Sequence, residues 1–494
     1  MMQISDTGYF LKKIFEKNWK TIFLIDSIKN EFYTYGDFFQ KITRYREKLE
    51  EIGIKNGDYV CLILDNSLEL ATLYFSSLLL GVKVVPIDPL KGISEVEEII
   101  NQINFKKIIY DDKKFENISF GINLKNINHD QNTPDIKSKN IDIFENINYD
   151  KDFLITFTSG SSGKQKGVIH SFNNVIKSAI AFNKKFNFDK NSIFYHNLSM
   201  SYMAGILNLL ILPLVCQSKV IIDRRTNISN INIFWKNIIK YSANTFWLVP
   251  TILELLLKLD RGLEGINYTK KNKITICVGT APLMKKVQME FEKKYDVKLF
   301  ESYGISETLF VSTNYYEENK MTSVGKLLDD VTVETLDDGE LVIKAPWICK
   351  GYHSMNKNKY FKDGKFLSGD LGKFDKSKFL FIVGRKMDII IKGGVNISPK
   401  KIENVILDSK LFNELTLIGF PSKLLGEKIV CFYVPKKIIT INDKKTINKK
   451  IIERLGMEYR IDEFVELEHI TKNLNGKIDK PKIRETFRQR INDS

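Results

Sequence analysis

Apolar and polar positions along the chain alternate between two patterns. Tyr59-Val-Cys-Leu-Ile-Leu64 is a near-continuous apolar run, as expected of a strand buried on both faces. A long apolar helix pattern covers 68–80, Gly81 stops it, and 82–85 reads as a second strand ended by Pro86-Ile-Asp-Pro89. Strand, helix and strand in that order imply a crossover and a parallel sheet. Residues 105–110 read as another strand, and 116–152, rich in Asn, Lys, Asp and Ile without periodicity, as a surface excursion.

The strand signal returns at 153–157, and a helix follows with Phe172, Val175, Ile176, Ala179 and Phe182 at helical spacing. Residues 206–222 are the most apolar stretch, but Asn208, Pro213, Gln217, Ser218 and Lys219 interrupt them. They read as a buried helix and a strand, not a membrane span. Further strands are expected at 220–222, 245–249, 274–278 and 298–300. After about residue 330 the strands shorten (332–335, 341–344, Phe366, 379–383), and Asp-Asp-Gly, Lys-Asp-Gly and Asp-Lys-Ser turns separate them. Past Arg385 the pattern resets to a small α+β unit. The expected division is a large domain over 1–386 and a small one over 387–494.

Composition adds limits. A chain of 494 residues exceeds one simple core, and a 43% hydrophobic share marks it as globular. The net charge of +15 is spread along the chain, and no nucleic-acid-binding motif accompanies it. The five cysteines form neither a Cys-x-x-Cys pair nor a Cys/His cluster, which argues against zinc and a disulfide framework. No signal peptide is visible in residues 1–20, so the expected location is cytoplasmic. Oligomeric state is not readable.

Thr156-Phe-Thr-Ser-Gly-Ser-Ser-Gly-Lys-Gln-Lys-Gly167 concentrates hydroxyls, glycines and two lysines directly after a strand. Glycines expose backbone N–H groups, and hydroxyls and ammoniums add donors, which suits polyphosphate. It departs from the P-loop: Thr158 occupies the position of that motif's first glycine, and Gln165, not Ser or Thr, follows Lys164. A mobile Ser/Gly-rich linker is the plain alternative. Glu301-Ser-Tyr-Gly-Ile-Ser-Glu-Thr308, Gly279-Thr-Ala-Pro282, Ser368-Gly-Asp370, Gly384-Arg385 and Leu474-Asn-Gly-Lys477 are each modest signals, and the first reads equally as a capped turn.

In order, these motifs resemble the adenylate-forming superfamily of acyl- and aryl-CoA synthetases, luciferases and peptide-synthetase adenylation domains. The resemblance runs from about Thr34 to Arg484. It implies an α/β fold: a large N-terminal domain of mixed and parallel sheets flanked by helices, a distorted β-barrel subdomain, and a small mobile α+β C-terminal domain. It implies ATP held by Thr158, Ser159, Gly160, Ser161, Ser162, Gly163, Lys164 and Gly167, with Lys166 on the leaving pyrophosphate. Tyr303 would stack on adenine beside Gly279, Thr280 and Ala281, with Glu301, Ser302 and Gly304 also at the nucleotide. Glu307 would bind Mg2+, Asp370 the ribose, and Arg385 ribose or phosphate with Ile382 alongside. Lys477, Lys166 and Ser306 are the implied catalytic groups, and Gly393 and Gly394 the implied thiol-tunnel loop.

The chemistry agrees with these roles. A carboxylate attacking phosphate needs charge neutralisation rather than a general base. The five histidines form no triad; His170 reads as a helix-start residue and His196 as a strand-end residue. Gln165 replaces the usual proline, Ser162 and Ser306 stand where threonine is commoner, and Met387 occupies the hinge position where Asp or Lys is usual, with Asp388 beside it.

The segment Leu198–Gly205 lacks the acidic residue that amino-acid-activating relatives use for an α-ammonium. A carboxylic acid without an α-amino group is therefore expected, lined by Tyr202, Met203, Trp247, Val249 and Gly279; Trp247 and Met203 read equally as core. Coenzyme A is the expected acceptor, with an acyl carrier protein's phosphopantetheine as alternative and amino-acid adenylation as a further one. A regulator that binds ATP without chemistry, and a nucleic-acid binder, are the competing classes.

Overall fold

The computed structural model describes residues 6–127, 140–159, 165–353, 360–407, 409, 411–422, 425–473 and 477–492. They divide into two compact units: Met1–Gly160, Lys164–Thr332 and Lys344–Gly364 form one, while Ser161–Gly163, Val333–Ile343 and Lys365–Ser494 form the other.

The first unit holds two sheets. One has nine strands in the order Lys326–Leu327, Leu309–Thr313, Leu299–Ile305, Thr275–Val278, Thr245–Leu248, Ile193–His196, Lys219–Ile222, Ile22–Asp26, Glu31–Thr34. Its interior strands pair in parallel, and antiparallel strands close both edges. The other has seven, in the order Gly351–Tyr352, Gln165–Ser171, Asp152–Ser159, Lys83–Pro86, Tyr59–Ile63, Lys107–Tyr110, Gly121–Asn123. The crossover read from the apolar run is present: Tyr59–Ile63 pairs in parallel with Lys83–Pro86, and the helix Leu68–Leu80 joins them. Ser67 caps that helix through Leu70 N–H, and Gly81 ends it at φ +72°, a conformation only glycine adopts cheaply. Within the segment read as a surface excursion, the short strand Gly121–Asn123 lies at the sheet edge.

In the second unit, Glu340–Lys344, Lys365–Phe374 and Leu380–Arg385 pair antiparallel. A further five-stranded sheet is covered on its two faces by separate clusters. Leu415, Leu417, Ile429, Cys431 and Tyr433 meet the helices Pro399–Leu407 and Ile441–Leu455 through Ile402, Ile406, Ile447 and Ile451. Ile418, Phe420, Val430 and Phe432 meet Ile483 and Phe487 of the helix Lys480–Asn492. The alternation follows from the period of two along a strand.

The apolar stretch at 206–222 is a buried helical run, α from Met203 to Ile206, π from Leu207 to Ile211 and α again to Val215, then the strand Lys219–Ile222. No helix among the described residues is long and apolar enough to cross a membrane. Gly205 seats this run, because a Cβ there would lie 2.0 Å from the Ser199 carbonyl oxygen. Gly205→Ala is therefore expected to cost about 2–4 kcal/mol, read as a lower urea midpoint at unchanged slope.

Candidate active site

The segment rich in Ser and Gly closes a β-hairpin. Asp152–Ser159 and Gln165–Ser171 pair antiparallel, with Thr158 opposite Lys166 and Phe157 opposite Gly167. The expectation that His170 starts a helix is corrected. It lies within the second strand, and the helix Phe172–Phe186 begins after it, capped by Ser171 Oγ through Asn174 N–H. Gly160, Ser161, Ser162, Gly163 and Lys164 fall outside the described residues, as does the Ser159 side chain. Gly167 is required by space: a Cβ there would meet Ile155 Cγ2 at 2.9 Å and Phe157 Cζ at 3.1 Å.

On its other edge the strand Gln165–Ser171 pairs with Gly351–Tyr352. His353 N–H donates to the Gly167 carbonyl at 2.8 Å, Lys350 N–H to Ile169 at 2.8 Å, and Cys349 N–H to the Glu307 carbonyl at 2.7 Å. This lacing brings four side chains together. Lys166, largely buried, donates from Nζ to Tyr360 Oη at 2.7 Å and lies 4.5 Å from that ring's centroid. The rings of Tyr360 and Tyr352 meet edge-on at 4.9 Å, and Tyr352 Oη donates to Glu307 Oε1 at 2.7 Å. Burial, with the Glu307 carboxylate beside it, raises the Tyr352 phenol well above its ordinary value, so it stays protonated and donates.

Glu307 sits in a second hairpin, between Leu299–Ile305 and Leu309–Thr313. The strand expected at 298–300 runs on through Glu301, Ser302, Tyr303 and Gly304, because the antiparallel neighbour satisfies their backbone groups. A Cβ on Gly304 would lie 2.1 Å from the Leu309 carbonyl oxygen, and the register shifts between Tyr303 and Gly304. Tyr303 is 8% exposed and Ser306 9%. His170 Nε2 lies 2.6 Å from the Ser306 carbonyl, which only accepts, so Nε2 carries the hydrogen. Burial pushes the His170 pKa down to about 4, against a smaller upward pull from that carbonyl.

The Gly279-Thr-Ala turn follows the strand Thr275–Val278, and Thr280 holds φ +70°. Glu301 accepts Leu283 N–H at 3.2 Å and Ser302 Oγ donates to the Val278 carbonyl at 3.2 Å, so both tie down this turn. Met203 (5% exposed) and Trp247 (2%) are buried, and Tyr202 is half-buried at the start of its helix. Asn66 positions that segment, donating to the Leu198 carbonyl at 2.7 Å and accepting Met200 N–H at 2.8 Å.

In the second unit, Asp370 is 3% exposed and its Oδ1 meets Arg385 Nε at 2.8 Å across paired strands. Ile382 stands on the same strand as Arg385. Gly369 holds φ +67° and donates its N–H to Glu340 Oε1 at 3.0 Å, and Glu340 Oε2 accepts Lys386 Nζ at 2.7 Å. Gly393 (φ +59°) and Gly394 (φ +79°) form the two-residue turn of a hairpin, exposed, with both residues left-handed. Lys477 closes a tight turn: its N–H donates to Asn473 Oδ1 at 3.0 Å, and Asn473 N–H to the Lys477 carbonyl at 2.7 Å. Asn475 and Gly476 of that motif lie outside the described residues. Met387 is exposed, and Asp388 beside it pairs with Lys480 Nζ at 2.7 Å.

The family model for AMP-binding enzymes matches residues 13–353, which contain both hairpins. The chain belongs to the AMP-binding enzyme family. This AMP-binding chain is 26% identical over 458 residues to the 2-succinylbenzoate–CoA ligase of Listeria monocytogenes, covering 92% of this chain and 94% of that one. It is 25% identical over 492 residues to the peroxisomal OPC-8:0-CoA ligase 1 of Arabidopsis thaliana, covering 92% and 89%. Its fold is that of ATP-bound MatB from Rhodopseudomonas palustris (TM-score 0.85, 22% identity, 97% and 99% covered). The o-succinylbenzoate CoA synthetase of Bacillus subtilis with its acyl-adenylate has the same fold (TM-score 0.83, 23% identity, 96% and 97% covered).

Three side chains of this AMP-binding enzyme escape a reading of motifs: Tyr352, Tyr360 and His170. Tyr360 lies within a lysine-rich run, Tyr352 and His170 stand in no such cluster, and contacts between segments far apart in the chain put the three at Lys166, Glu307 and Ser306. Tyr352→Phe removes one hydrogen bond to Glu307. It is expected to weaken magnesium-dependent ATP binding about tenfold by titration calorimetry, with thermal stability little changed.

His170 and His196 are both fully buried, and burial pushes each down to about 4. The unfolded chain, with ordinary histidines near 6.5, binds more protons between those values. Their stabilisation is therefore complete above about pH 6.5 and lost as pH falls towards 4. Each histidine contributes up to about 3 kcal/mol of that slope. Urea unfolding of the wild type and His170→Gln across pH 4.5–7.5 checks this, the variant being expected to show a shallower decline.

Proposed function

We propose that this AMP-binding enzyme is an AMP-forming acid–thiol ligase: it activates a carboxylic acid with ATP and passes the acyl group to coenzyme A. The observation that carries the reading is the gathering of Lys166 and Glu307 through Tyr360 and Tyr352 beside the Ser/Gly-rich hairpin. An ammonium and a carboxylate linked through two tyrosines in edge contact suit a polyphosphate that arrives with a hard cation.

In the first step a carboxylate oxygen of the acid attacks the α-phosphorus of ATP, the α–β bridging bond breaks, and pyrophosphate leaves. Lys166 would meet the charge developing on pyrophosphate, and Lys477 the approach of carboxylate to α-phosphate, where two anions otherwise repel. Ser306 would donate to a phosphate oxygen, Tyr303 would stack on adenine, and Asp370 would take the ribose hydroxyls, exchanging its present bond to Arg385. In the second step the thiolate sulfur attacks the acyl carbon, the acyl–phosphate bond breaks, and AMP leaves while the thiol proton passes to solvent.

Among the described residues no three His, Cys, Asp or Glu side chains gather as a cation cage. A single carboxylate, with one oxygen engaged by Tyr352, fits magnesium that draws its other ligands from phosphate and water. Glu307 would hold it, and when bound it supplies charge neutralisation on the phosphates.

The names of the relatives support coenzyme A as acceptor, and the exposed turn at Gly393 and Gly394 leaves space for a pantetheine arm. We place the enzyme in the cytoplasm, since all five cysteines are free and buried. We also propose that 387–494 moves as a domain about Met387 between the two half-reactions.

The test is acid-dependent ATP–pyrophosphate exchange over fatty, aryl and amino acids, with thioester formation followed with coenzyme A and with a carrier protein. Lys477→Ala is expected to lower exchange at least a hundredfold. Met387→Pro is expected to preserve exchange and lose thioester formation; equal loss of both would remove the hinge. ATP binding without exchange for any acid would leave a regulator instead.

A further inference from the structure

Trp247 ends the strand Thr245–Leu248 at the carboxyl edge of a parallel sheet, where open α/β sheets bind their ligands. Its ring is fixed by aromatic packing: Phe182 lies at 5.2 Å and Phe310 at 5.4 Å between centroids, and those two stack on each other at 4.1 Å. The side chain is 2% exposed, yet its Nε1–H has no hydrogen-bond partner among the described residues. Buried indole N–H groups ordinarily find one, since an orphaned donor costs about 1–3 kcal/mol.

What lies beside that N–H is Gly279. A Cβ built there would stand 3.5 Å from Trp247 Nε1 and 3.2 Å from Ser302 Oγ, so glycine at 279 sets no side chain against the polar edge of the indole. The next residue, Thr280, is held left-handed at φ +70°, and its hydroxyl is likewise buried without a partner among the described residues. Two orphaned polar groups thus lie beside one glycine, where two adjacent parallel strands end. The rings that pack on the indole, Phe182 and Phe310, are apolar.

We propose that Trp247 is a specificity-determining residue whose indole N–H donates to a hydrogen-bond acceptor (keto, ether or hydroxyl oxygen) that the substrate acid carries on its chain or ring, beyond the carboxylate. This rests on the reading of the chain as an acid-activating ligase. A plain hydrocarbon acid leaves the N–H unpaired, whereas an acceptor-bearing acid pairs it. The rings that pack on the indole are apolar, and Trp247→Phe separates the contribution of its N–H from that of the Thr280 hydroxyl. Sites built to hydrogen-bond a substrate reject analogues lacking the group far better than they reject a missing methylene.

The test compares matched acids by acid-dependent ATP–pyrophosphate exchange: γ-oxo-γ-phenylbutanoate with γ-phenylbutanoate, p-methoxycinnamate with p-ethylcinnamate, and a keto fatty acid with its parent. In the wild type, at least one acceptor-bearing member is expected to be preferred about tenfold or more in kcat/KM, one hydrogen bond's worth. Trp247→Phe is expected to reduce that preference to within a factor of about three, and so is benzothienylalanine at position 247, which keeps the ring and lacks the N–H. Equal use of both members of every pair by the wild type overturns the inference, as does a preference that survives loss of the N–H. Absence of exchange with every acid removes the ligase reading itself, and the inference with it.

Discussion

The backbone hydrogen bonding of one strand, Gln165–Ser171, sets the position of most of what matters in the first unit. On one edge it pairs with Asp152–Ser159, which fixes both ends of the Ser/Gly-rich connection. On the other it pairs with Gly351–Tyr352, a two-residue strand that drops a phenol onto Glu307. From its middle, His170 reaches the Ser306 carbonyl. A ladder of amides, each obliged to find a partner once buried, therefore assembles groups from three distant stretches of sequence. Gly167 is the weak point of that arrangement, because any side chain there meets Ile155 and Phe157.

Neutral histidines suit this role. His170 donates to a carbonyl, and a charge on it would be buried beside no carboxylate that the structure places there. The depressed pKa is the cost of using imidazole as a fixed donor in a dry place, and it links the geometry of the Ser306–Glu307 turn to pH. The second unit uses paired ions instead. Asp370 with Arg385, Glu340 with Lys386 and Asp388 with Lys480 each satisfy a carboxylate with a flexible cation. Such pairs keep a charged partner within reach on each side, which a neutral histidine on a carbonyl does not.

Much of the architecture was legible in the pattern. The crossover from Tyr59–Ile63 to Lys83–Pro86, the stop at Gly81 and the glycine turns after residue 330 follow from local propensities that the fold leaves in force. Legibility failed at hairpins. Residues 301–305 and 165–170 were read as loop or helix start because their glycines and hydroxyls favour turns, and strand pairing overrode that preference. Trp247 was ambiguous for a related reason. Composition cannot say that a ring packs on Phe182 and Phe310 while its N–H edge lies beside Gly279.

The sequence by itself determined which functional groups are present and in what order: a Ser/Gly/Lys-rich stretch, then Glu307, Asp370, Arg385 and Lys477, with no acidic residue in Leu198–Gly205. Those are statements about which functional groups exist and in what order, and they survive any local rearrangement. Only the tertiary structure decided that Tyr352 and Tyr360 join Lys166 to Glu307, that Glu301 secures a turn through Leu283, and that the Trp247 N–H has no partner among the described residues. Each depends on strands far apart in the chain meeting in register, and side-chain period along a single strand carries no information about its neighbour.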